Sequence, residues 1–118
     1  MSKYLYFASS RFASNKDIAH WMSQELMNKG ITVGESMDND YMFIIPIKIE
    51  RASLNIYVGK NDEDCDPPLW QAWPEMKIGL FKKLVGAVDR TAQEKTCSIL
   101  SDIVGNLDGV SSVEWSNI

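Results

Sequence analysis

Carboxylates are the residues of this chain best spaced for chemistry. Asp62, Asp64 and Asp66 alternate along a short segment, as the first three oxygen ligands of a calcium loop do. The rest of such a loop is absent, because Pro67 stands where the turn glycine belongs and Trp73 where the bidentate glutamate belongs. With Glu63 they read instead as a solvated or partner-facing acidic loop. Asp38 and Asp40 are a second carboxylate pair, but acid–base work needs a concave, partly desolvated setting, and loops crowded with carboxylates are usually wet.

The nucleophile candidates are equally sparse. His20 is the only histidine, and Cys65 and Cys97 lie far from it and from each other. A Cys–His or Ser–His arrangement would have to be assembled by tertiary contact, and a zinc site has no ligand spacing to rest on. Glycines are scattered without a phosphate-binding fingerprint. The expectation is therefore no catalytic centre, no metal and no cofactor.

Charge and aromatic residues carry the stronger signal. Of 118 residues with a net charge of −4, the segment from Glu35 to Glu75 holds nine acidic residues against three basic ones, and the remainder is slightly basic. Such a segment repels phosphate and attracts cationic surfaces, which disfavours nucleic acid as a partner. Trp70 and Trp73 follow the acidic loop directly, and tryptophan is a preferred interface anchor. Asp62, Glu63, Asp64, Asp66, Trp70 and Trp73, with Asp38 and Asp40, form the candidate partner-binding set. Core packing is the competing reading for each tryptophan.

The elements that must position these residues follow from periodicity. Lys3 to Ala8 reads as a strand. Ser14 precedes Asp17 by three residues, as in a capping box, and opens a helix with Ile18, Met22 and Leu26 on one face and a stop at Lys29–Gly30. Ile31 to Val33 reads as a short strand. Tyr41 to Val58 reads as a hairpin turning at Glu50–Arg51, apolar on both faces of its first strand, with Pro46 calling for a bulge or an edge. Leu69 to Trp73 is a strand ending at Pro74 or the start of an irregular helix, and the type of Ile78 to Val88 stays open.

Thr91 and Glu94 open a last helix with an inward stripe from Ala92 to Leu107, and Val110 to Trp115 reads as a closing strand. The chain is expected to form one α+β domain over residues 1–118, a mostly antiparallel sheet with two main helices on one face and a ferredoxin-like arrangement as one option. No stretch approaches the ~20 apolar residues that cross a bilayer, and the amino terminus is too short in apolar residues for a signal peptide. Unpaired cysteines suit a reducing compartment, so the expected location is the cytoplasm, away from membranes.

In size, acidity and element order the chain resembles the immunity proteins that bacteria make against their own polymorphic toxins. The similarity includes an amphipathic helix through Ser98-Ile99-Leu100-Ser101-Asp102-Ile103 that leads to a Val113-Glu114-Trp115 strand. The resemblance implies a stoichiometric inhibitor that occupies the active or substrate-binding face of a cytosol-acting toxin, with carboxylates opposed to its basic residues. It carries over no individual contact residue. The alternatives are a regulatory or adaptor domain, including a homo-oligomer built through the hairpin's second apolar face, and an enzyme or ligand-binding domain whose site forms only in the fold.

Overall fold

A computed structural model describes residues 3–76 and 91–117. The strands are β1 (Lys3–Ala8), β2 (Thr32–Val33), β3 (Met37–Asn39), β4 (Met42–Ile49), β5 (Ala52–Lys60), β6 (Leu69–Met76) and β7 (Ser111–Asn117); the helices are α1 (Asn15–Asn28) and α2 (Thr91–Gly105). All the described strands join one antiparallel sheet in the order β2-β4-β5-β6-β1-β7, with β3 also paired to β4. The class is α+β. A ferredoxin-like chain has two strands between its helices; among the described residues five lie between α1 and α2.

Period-two alternation assigns the sheet faces. The register places Ile47 opposite Leu54, Ile45 opposite Ile56, Val58 opposite Ala72, and Ala72 opposite Leu5. These buried residues share a core with Ile18, Met22 and Leu26 of α1 and Leu100, Ile103 and Val104 of α2. Both helices therefore cover the same face of the sheet.

Local chemistry fixes the helix ends. The Ser14 hydroxyl accepts the Asp17 N–H at 3.2 Å, and Asp17 in return accepts the Ala13 N–H at 3.0 Å, which satisfies amides that the first turn would otherwise leave unpaired. Gly30 follows α1 at φ +82°, where a side chain would be strained. Gly109, at φ +77°, lies in the turn beyond α2 that the Val110 N–H closes on the Leu107 carbonyl.

The prolines resolve in a way that the sequence left open. Pro46 is on no free edge strand, since β5 pairs with β4 on one side and β2 and β3 share the other, but on that second side the register slips by one residue between Val33–Ile47 and Met37–Ile44, so an irregularity does lie opposite it. The gap between those two short strands falls at Pro46, whose carbonyl accepts the Gly34 N–H at 2.8 Å and whose missing donor stands on that interrupted side of the strand. Strand β6 continues through Pro74 instead of stopping there. Its register with β1 ends at Ala72, and the Pro74 carbonyl accepts from Gln93 of α2 at 3.0 Å. Ile78 to Val88 lies outside the described residues.

Candidate functional site

Two acidic segments meet at one end of the sheet, and one side chain joins them. Asp38 and Asp40 flank the β3–β4 turn, which Asp38 tightens by accepting the Asp40 N–H at 3.0 Å. Asp62 to Asp66 follow the end of β5. Asn15, at the start of α1, donates through Nδ2 to the Tyr41 carbonyl at 3.0 Å and accepts the Lys60 N–H through Oδ1 at 2.8 Å. The turn and the base of the loop are thus held to the same residue.

The loop is framed at its base. The Asn61 N–H donates to the Leu69 carbonyl, its Nδ2 donates to Gln71, and its Oδ1 accepts the Glu63 N–H, all within 2.7–2.8 Å. Pro68 accepts the Ser9 N–H at 3.1 Å. Asp62, Glu63, Asp64 and Asp66 are exposed, as are Asp38 and Asp40. The ion pairs among the described residues, Lys29–Asp102 and Lys95–Glu50, use none of these six carboxylates. The Lys60 ammonium at the loop base donates to the Asn61 carbonyl. Tyr41 stands beside Asp40 with 84% of its surface exposed, a large amphipathic side chain at the acidic end that charge counting overlooked.

The tryptophans part company. Residues three apart on a strand point to opposite faces, so Trp70 and Trp73 cannot flank one loop together. Trp70 is 1% exposed, lies edge-on to Phe12 at 5.8 Å, and donates through Nε1 to the Ser9 carbonyl at 2.9 Å. It is a core residue and is withdrawn from the partner-binding set. Trp73 stands on the face away from the helices, stacked on Tyr57 at 5.2 Å and edge-on to Tyr4 at 4.9 Å. Its indole N–H turns to Glu75 at 3.3 Å. Ile44 pairs with Tyr57 and Met37 with Ile44, so an apolar row crosses this face, which is open among the described residues. The outward positions of five separate strands supplied it, a pattern visible only once the register is known.

His20 is exposed on α1 and lines a groove of about 350 Å³ between that helix and the segment joining β2 to β3. Neither cysteine lines it. Cys65 sits exposed in the acidic loop and Cys97 on α2, with no disulfide between them. Among the described residues, no three His, Cys, Asp or Glu side chains are grouped to hold a metal ion, and no helix is long and apolar enough to cross a membrane. No family model, curated protein or solved structure matches the chain.

Proposed function

We infer that the protein is an immunity-type binding protein, which neutralises a cognate cytosol-acting toxin by covering its active or substrate-binding face. The observation that carries this reading is the joining of two exposed acidic segments at one end of the sheet through Asn15. Six carboxylates without ion-pair partners among the described residues form a field that would steer a basic protein surface toward that end. Exposed and without an ion pair among the described residues, they break no such pair when a partner's cations take the place of water around them.

Tyr41 supplies the contact that charge alone lacks. A tyrosine ring buries a large area at small entropic cost, which slows release after electrostatics has hastened capture. The framed base of the loop adds preorganisation, since a rigid surface loses less freedom on binding. Replacing Asp62, Glu63, Asp64 and Asp66 with Asn or Gln should lower both affinity for the partner and its dependence on salt. Unchanged affinity and salt slope would remove the acidic end from the contact.

A second reading, a regulatory or adaptor domain, is favoured by the row of Tyr4, Trp73 and Tyr57 on the open face. Light scattering separates the two. A stable homo-oligomer that Trp73→Ala dissociates supports the adaptor, and a monomer that pairs one-to-one with a basic protein supports the inhibitor.

A further inference from the structure

We draw no further inference here: the strongest candidate, the apolar row of Tyr4, Trp73, Tyr57 and Ile44 across the sheet face turned away from the helices, carries nothing, because nothing among the described residues shows what covers it.

Discussion

Asn15 accepts the backbone N–H of Lys60 at 2.8 Å across 45 residues of sequence, and the other end of its amide holds the Tyr41 carbonyl. One side chain at a helix start therefore fixes where two acidic segments sit relative to each other. The start of α1 and the placement of the acidic end are coupled here, since whatever frays the first turn of α1 also loosens the acidic end.

Asn15→Ala should destabilise the protein by about 1–2 kcal/mol, because two backbone groups lose their partners but remain close enough to the surface to regain water. Urea denaturation measures the loss. Hydrogen exchange should show the Lys60 amide exchanging faster, with the amides of central β5 protected as before.

The two loop-proximal tryptophans should respond unequally. Trp70→Ala removes a fully buried ring and leaves the Ser9 carbonyl without its indole donor, which should cost about 3–5 kcal/mol. Trp73→Ala loses a half-exposed ring and its stacking on Tyr57, at about 0.5–1.5 kcal/mol per aromatic pair. Equal losses in thermal unfolding would contradict the assignment of opposite faces.

Gly59→Ala tests the joint from its other side. A Cβ there would overlap the Met42 sulfur and come within 3.1 Å of both the Asn15 amide nitrogen and the Tyr41 carbonyl. Overpacking of this kind costs about 1–3 kcal/mol. The urea midpoint should fall, and the Tyr41 and Lys60 amides should shift in the NMR spectrum.

Much of the scaffold was legible from local rules. Ser14 and Asp17 announce α1, Gly30 its end, and the alternation of Leu54, Ile56 and Val58 the buried face of β5, because capping and periodicity are properties of neighbouring residues. Pro74 misled for a tertiary reason: a proline breaks a ladder only where a partner strand demands its N–H, and the end of the β1 register at Ala72 removes that demand, whereas Pro46 did mark an irregularity on one side of β4. Trp70 and Trp73 were grouped by distance along the chain, whereas the pleat divides them. The six carboxylates were readable as charge, but Asn15 and Tyr41 carried no signal in the sequence, since their importance comes from contacts made 26 and 45 residues away.

The most direct test of the acidic end is capture of its partner from the cells that encode the chain, with wild-type protein and with the Asp62→Asn, Glu63→Gln, Asp64→Asn, Asp66→Asn variant side by side. The account predicts one basic protein, bound one-to-one by the wild type with affinity that falls steeply as salt rises, and bound far more weakly by the variant with a flatter salt slope. Equal capture of the same protein by both forms, with the same salt dependence, would contradict it.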